Sequence, residues 1–408
     1  MTVTVNGKNL HGTVPAVTSK SMAHRLLICA ALAETSTTVR CSVLSEDIEA
    51  TWHCLESAFA DISYHDGAFT VTPHKNAAQD TVAIDCGESG STLRFLIPIL
   101  CARGVHADIA LHGRLPDRPL SPLREELIRC GCTLSEQGSN PLSVRGKLQP
   151  GNFNLRGDVS SQCISGLLFA LPLCEGDSTL TITGNLESAS YVDMTLWALK
   201  AFGIEIRRTD TGYEIPGGQT YRSPGVIKAE GDWSAAAFWK VCKFLGAPVE
   251  VTGLESDSLQ GDKAICDILE KMRTEKNCKI DIANTPDLVL ILSVAALGTP
   301  GETTICNAAR VRLKESDRLA TSAALIRTMG GTVQELEDGL IIQGGSALHG
   351  GTIDATGDHR IAMSAAIASV ICGNVTIHGA QSASKSYPAF WKDFEMLGGT
   401  VKYQEERL

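Results

Sequence analysis

Apolar and polar positions along the 408-residue chain fall into a recurring order. A short turn rich in Gly, Ser, Asp or Asn runs into an apolar helix six times. The copies begin near Ser19 (SKSMAHRLLICAAL), Gly87 (GESGSTLRFLIPIL), Gly157 (GDVSSQCISGLLFALPL), Gly231 (GDWSAAAFWKVC), Asn284 (NTPDLVLILSVAAL) and Gly357 (GDHRIAMSAAIASV), at steps of 68, 70, 74, 53 and 73 residues. Between them lies a second set of six amphipathic helices, with apolar residues three to four apart, starting near Ser45, Ser121, Tyr191, Gly261, Lys314 and Pro388. Several of these close on a glycine suited to a helix C-terminus and then enter a β-like run, at Gly131, Gly203, Gly330 and Gly398. The opening MTVTVNGKNLHGTV alternates like a strand. This recurrence, with one shorter step, predicts a repeat architecture of six βα-rich units of roughly 70 residues each, hence an α/β protein. Three units make a domain-sized block, so two domains of three units are expected. The stretch IPGGQTYRSPGV at 215–226 has the composition of a linker.

Composition narrows the function classes. With 43% apolar and 20% charged residues the chain is globular in character. A formal charge of −10 argues against non-specific nucleic-acid binding, which needs cations to neutralise phosphates. An anionic ligand must therefore meet a local basic pocket. No apolar run reaches the length of a membrane span, and the opening lacks the pattern of a signal peptide, so a cytoplasmic protein is expected. Many of the fourteen cysteines lie inside apolar helical patterns (Cys29, Cys101, Cys242, Cys266), and none forms a CxxC pair with zinc-like spacing. Buried thiols in a reducing compartment, with no metal site, are expected.

Helix N-termini carry unpaired N–H groups and partial positive charge, which suits phosphate or carboxylate. Several repeat starts add cations or hydroxyls: Lys20, Ser21 and Arg25; Gly90, Ser91 and Arg94; Ser160, Ser161 and Gln162; His359 and Arg360. Any one of them serves equally well as an ordinary helix cap. Together with RVRLKESDR (310–318) and SKSYP (384–388), they point to small anionic ligands.

The ordered set SKSMAHR, GESGSTLRF, RPLSPL, GDVSSQ, SASYVD, TPD, LKESDR, GDHRIAM and SKSYP resembles the EPSP synthase family of enolpyruvyl transferases along nearly the whole chain. The resemblance implies two similar domains, each of three βαβαββ units in an inside-out α/β barrel, with the active site in the interdomain cleft and closure around the ligands. It implies a discontinuous first domain of residues 1–18 plus 229–408, with 19–228 forming the other. It also implies transfer of an enolpyruvyl group from phosphoenolpyruvate to the 5-hydroxyl of shikimate 3-phosphate, with release of phosphate, in the shikimate pathway.

Matched position by position, the resemblance places shikimate 3-phosphate on Lys20, Ser21, Arg25, Ser160, Ser161, Gln162, Ser188, Asp287 and Lys314. It places phosphoenolpyruvate on Lys20, Gly90, Arg118, Gln162, Arg318, Arg360 and Lys385, with Tyr191 and His359 in support. Asp287 resembles the family's base and Glu315 its proton donor and acceptor, assisted by Lys20 or Lys385. Arginine forks and lysine point charges suit two anions held side by side. Neither metal nor organic cofactor is implied, and a monomer is expected.

Three positions depart from the family pattern: Glu88 for asparagine, Ser91 for threonine and Arg310 for asparagine. A carboxylate at Glu88 would repel an anion unless an arginine paired with it. Gly90, read as part of a tight turn, leaves room for glyphosate and predicts sensitivity to it. Two alternatives compete. UDP-N-acetylglucosamine enolpyruvyl transferases carry Lys-Asn at the first repeat and a loop cysteine, where this chain has Lys20-Ser21 and the cysteine-free loop HGRLPDRPL. A non-catalytic anion-binding relative would have lost Asp287, Glu315 or the arginines, all present here.

Overall fold

The computed structural model describes residues 1–75 and 81–404. The chain folds into two compact units: Lys20–Glu230, here the insert unit, and Met1–Ser19 with Gly231–Leu408, the split unit.

The insert unit contains α1 (Lys20–Ala31), α2 (Glu46–Ala58), α3 (Gly90–Arg103), α4 (Leu123–Arg129), α5 (Ser161–Ala170) and α6 (Ala189–Ala201). Its strands form three four-stranded sheets of one design, in which a parallel pair is extended by an antiparallel hairpin. Val82–Asp85 runs parallel to Ala107–Ala110, which pairs with Leu142–Gly146 and through it with Cys132–Leu134. Asn152–Arg156, Ser178–Thr183, Gly212–Ile215 and Arg207–Thr209 repeat the order. In the remaining sheet the parallel partner of Thr37–Arg40 is Val226–Lys228, supplied from the far end of the unit.

The split unit contains α7 (Trp233–Phe244), α8 (Ile265–Thr274), α9 (Val289–Leu297), α10 (Arg318–Thr328), α11 (His359–Cys372) and α12 (Phe390–Met396). Asn277–Asp281, Gly301–Cys306, Gly339–Gly344 and Thr332–Leu336 form a sheet of the same design. Another is completed by the N-terminal strand Thr2–Asn6, between Val375–His378 and Thr400–Gln404. The third has two strands among the described residues, Gly12–Pro15 parallel to Val249–Thr252. Here α8 leads directly into Asn277–Asp281 without a hairpin, which accounts for the short 53-residue step of the fourth repeat.

The odd-numbered helices are the core. All of α9, VLILSVAAL, is buried, and α7, α9 and α11 pack on one another. A helix apolar all round is stable only when enclosed. The sheets alternate, as in the exposed-buried order of Asn277–Asp281, and so cover those helices with one face.

Three expectations are corrected. The run after Gly203 is not a strand at Ile204–Ile206, and the strand begins at Arg207. Gly203 is left-handed, Ile204 N–H returns to the Leu199 carbonyl, and both Glu205 backbone groups are taken by the Gln219 side chain, so helix capping outcompetes pairing. The stretch 215–226 is no free linker, because buried Tyr221 donates its hydroxyl to the Phe169 carbonyl at 2.6 Å and ties it to α5. Cys266 is exposed on α8, whereas Cys29, Cys101 and Cys242 are buried.

Candidate functional site

Many of the sequence-predicted residues lie at helix starts, and Arg118, Lys314, Glu315 and Lys385 lie on the turns and loops between elements. In the insert unit Lys20 opens α1, and its Nζ meets Asp47 Oδ2 of α2 at 2.6 Å. Arg25, one turn further on, is buried. Its Nε donates to Thr195 Oγ1 (2.9 Å), Nη1 to the Ser21 carbonyl (2.6 Å) and Nη2 to the Tyr191 carbonyl (2.8 Å), while the guanidinium lies over the Phe95 and Tyr191 rings. Burial lowers the Arg25 pKa to about 10, which leaves it charged at neutral pH. Burial, then Lys20 and Arg25, hold neighbouring His24 well below the ordinary imidazole value, and its Nδ1 bonds Thr51 Oγ1 at 2.7 Å.

The α3 start is organised by Ser89, whose hydroxyl caps Thr92 N–H. Gly90 is the first helical residue, not part of the tight turn expected; the left-handed glycine is Gly87, at φ 55°. A Cβ at Gly90 would lie 2.8 Å from Arg94 Nη1 and 2.9 Å from both Arg118 terminal nitrogens, so glycine lets two guanidinium groups approach the helix end. Arg94 Nη2 donates to the Pro119 carbonyl at 2.9 Å and fixes the loop that carries Arg118.

Ser160 caps α5 by accepting from Gln162 N–H, and Ser161 is the first residue of that helix. Gln162 Nε2 donates to Ser91 Oγ at 2.9 Å, so the serine that replaces threonine keeps a hydroxyl role. Ser188, buried ahead of α6, is left-handed at φ 54°, a conformation that a non-glycine residue holds only where its surroundings impose it. Glu88 packs against Gly113, where an added Cβ would overlap its carboxylate.

In the split unit Asp287 lies on the turn Pro286–Leu288 at the start of α9. Three cations surround it: Arg318 Nη1 at 2.7 Å, Arg360 Nη2 at 3.3 Å and Lys314 Nζ at 3.6 Å. Arg318 is 1% exposed and also donates through Nη2 to Glu315 Oε2 (2.7 Å) and through Nε to Asp358 Oδ2 (2.8 Å). Burial would depress the Arg318 pKa, but Asp358, Glu315 and Asp287 more than reverse this and push it above the ordinary arginine value. Burial would likewise raise the Asp358 carboxyl, and Arg318 overrides it, holding that group below its usual range.

Asp358 also caps α11 through Arg360 N–H, so one carboxylate fixes both arginines. His359, the first residue of α11, is buried. Lys385 Nζ donates to the Gly357 carbonyl at 2.6 Å. Arg310 Nη2 donates to the Ala283 carbonyl at 2.8 Å. Sequence reasoning missed Asp47, Thr195, Asp358, Ser234 and Asp262. Only Asp358 had a visible signal, as the residue before a helix start in GDHR.

Among the described residues no group of three or more His, Cys, Asp or Glu side chains is placed to hold a metal ion. None of their helices is long and apolar enough to cross a membrane.

A family model described as EPSP synthase (3-phosphoshikimate 1-carboxyvinyltransferase) matches residues 5–394. The 3-phosphoshikimate 1-carboxyvinyltransferase of Clostridium acetobutylicum is 42% identical over 419 residues, covering 98% of each chain. That of Clostridium kluyveri is 40% identical over 418 residues with the same coverage. Among solved structures, EPSP synthase from Acinetobacter baumannii has a TM-score of 0.80 at 25% identity, covering 99% of this chain and 100% of that one. The enolpyruvyl transferase NikO from Streptomyces tendae, with a TM-score of 0.76 at 18% identity and 98% coverage of both chains, shares the fold. Matched by the family model over nearly its whole length, and 40% to 42% identical to curated members, this chain belongs to the EPSP synthase family.

Proposed function

We propose that the protein transfers the enolpyruvyl group of phosphoenolpyruvate to the 5-hydroxyl of shikimate 3-phosphate, giving 5-enolpyruvylshikimate 3-phosphate and phosphate. The observation that carries this reading is the pair of carboxylates Asp287 and Glu315, each 2.7 Å from one buried guanidinium, Arg318. Addition requires the 5-hydroxyl to lose its proton as its oxygen bonds C2 of phosphoenolpyruvate, while C3 gains a proton. Elimination breaks the C2–O bond to phosphate and removes a proton from the methyl group just formed. Asp287 takes the hydroxyl proton; Glu315 delivers the proton to C3 and later accepts one back, with Lys20 or Lys385 assisting.

In the insert unit, Lys20, Ser21, Arg25, Ser160, Ser161, Gln162 and Ser188 serve shikimate 3-phosphate, with Tyr191 in support. Lys20, Gly90, Arg118 and Gln162 serve phosphoenolpyruvate. In the split unit, Asp287 and Lys314 serve the acceptor, and Arg318, Arg360 and Lys385 serve phosphoenolpyruvate, with His359 in support. The reading extends to a cytoplasmic, monomeric enzyme without a cofactor that glyphosate inhibits.

The test is phosphate release from phosphoenolpyruvate with shikimate 3-phosphate as acceptor, run beside UDP-N-acetylglucosamine. Release with shikimate 3-phosphate alone is expected. Release with neither acceptor overturns the reading in favour of a non-catalytic relative.

A further inference from the structure

A buried carboxylate that this reading leaves unused lies behind Arg360. Asp262 sits on the turn Gly261–Ala264 ahead of α8 and is 2% exposed. Ser234, in the first turn of α7, donates its hydroxyl proton to Asp262 Oδ2. The Ser234 oxygen in turn accepts from Arg360 Nη2 at 2.9 Å. Arg360 Nη1 meanwhile donates to the Asp287 carbonyl at 3.1 Å, and Nη2 lies 3.3 Å from Asp287 Oδ2. A hydroxyl has one proton and two lone pairs. With its proton committed to Asp262, Ser234 turns a lone pair toward the guanidinium, so Asp262 sets the direction in which the hydroxyl receives Arg360.

The turn that carries Asp262 is anchored to the same helix start. Gln260 accepts from Trp233 N–H at 3.0 Å and donates to the Gly231 carbonyl at 2.7 Å. The neighbouring cation is directed elsewhere, since Lys263 Nζ donates to the Ser256 carbonyl at 2.9 Å.

We propose that Asp262 is a positioning residue: through Ser234 it aims Arg360 at the phosphoenolpyruvate site. This rests on the role assigned above to Arg360. The groups facing Asp262 are the carboxylates of Asp287 and Asp232, the Arg360 guanidinium and the Ser234 hydroxyl. Burial, then the charge of Asp287, raise the Asp262 pKa to about 6, against the opposing pull of Arg360 and Ser234.

The test compares the wild type, Asp262→Asn and Ser234→Ala by kcat and KM for each substrate across the acidic and neutral range. Titration of the substrates themselves is common to all three proteins. Asp262→Asn is expected to raise KM for phosphoenolpyruvate about tenfold and to leave KM for shikimate 3-phosphate within about twofold. Ser234→Ala cuts the link, so it too raises KM for phosphoenolpyruvate and leaves KM for shikimate 3-phosphate within about twofold. An active wild type whose KM for phosphoenolpyruvate matches that of Asp262→Asn overturns this inference alone. A wild type inactive with both substrates overturns the assigned function and this inference with it. Should Asp262→Asn not fold, an unchanged KM for phosphoenolpyruvate in Ser234→Ala is sufficient to overturn the proposal.

Discussion

In the insert unit Arg25 and Arg94 direct their N–H groups to hydroxyls, backbone carbonyls and one side-chain amide, whereas in the split unit Arg318, Arg360 and Lys314 converge on carboxylates. Arg25, held by neutral acceptors, is oriented without being neutralised, so its charge stays available to an incoming phosphate or carboxylate. A cation ringed by Asp287, Glu315 and Asp358 also aims those carboxylates, which suits proton transfer. Lys20 belongs to the second kind although it lies in the insert unit, because Asp47 pairs with it. That placement agrees with the assisting proton role proposed for it.

The contrast breaks most readily at the base. Asp287→Ala should lower kcat by about 10² to 10⁴ in phosphate release; a loss under tenfold would mean that the carboxylate cluster serves binding after all. Next in size is Asp358→Ala, which strips two contacts from a buried guanidinium and the cap from α11, and is expected to cost about 3–5 kcal/mol in an unfolding titration. Acid acts in the same direction. The depressed Asp358 carboxyl contributes stability above its ordinary pKa of 3.8, and this is lost as pH falls through the lower folded value. Asp358→Asn should therefore flatten the acid limb of stability against pH.

Thr195→Val removes a neutral acceptor from Arg25 and is expected to cost about 1–3 kcal/mol. A cost equal to that of Asp358→Ala would erase the distinction between the two clusters. The smallest change is Gly90→Ala, which crowds the flexible ends of Arg94 and Arg118 rather than backbone. A rise in KM for phosphoenolpyruvate of about fivefold, roughly 1 kcal/mol, with kcat nearly unchanged would identify that end of α3 as a binding element only.

The helix starts were legible because their caps are written in local sequence. Ser89, Ser160, Asp232, Asp317 and Asp358 each accept a backbone N–H within the first turn that follows. What supports those starts was not legible. Arg25 and Thr195 are 170 residues apart, and nothing near Thr195 marks it as the acceptor of a guanidinium. Asp262 reads as an ordinary acidic residue at a helix start until Ser234 and Arg360 are brought beside it. Glycine and proline at 215–226 outweighed a single tyrosine in sequence, yet Tyr221 fixes the segment.

The sheet completed by Thr2–Asn6 has a consequence for the life of the protein. Thr2 faces His378 across that ladder, 376 residues away, while Val5 faces Val401 on the other side. During synthesis the ribosome delivers the central strand of this sheet first and its neighbours last, whereas every segment of the insert unit has been made by residue 230. The N-terminal strand must therefore wait unpaired through most of translation. In the finished molecule Thr2–Asn6 and Thr400–Gln404 lie side by side, so a protease nick in either strand strikes the same sheet.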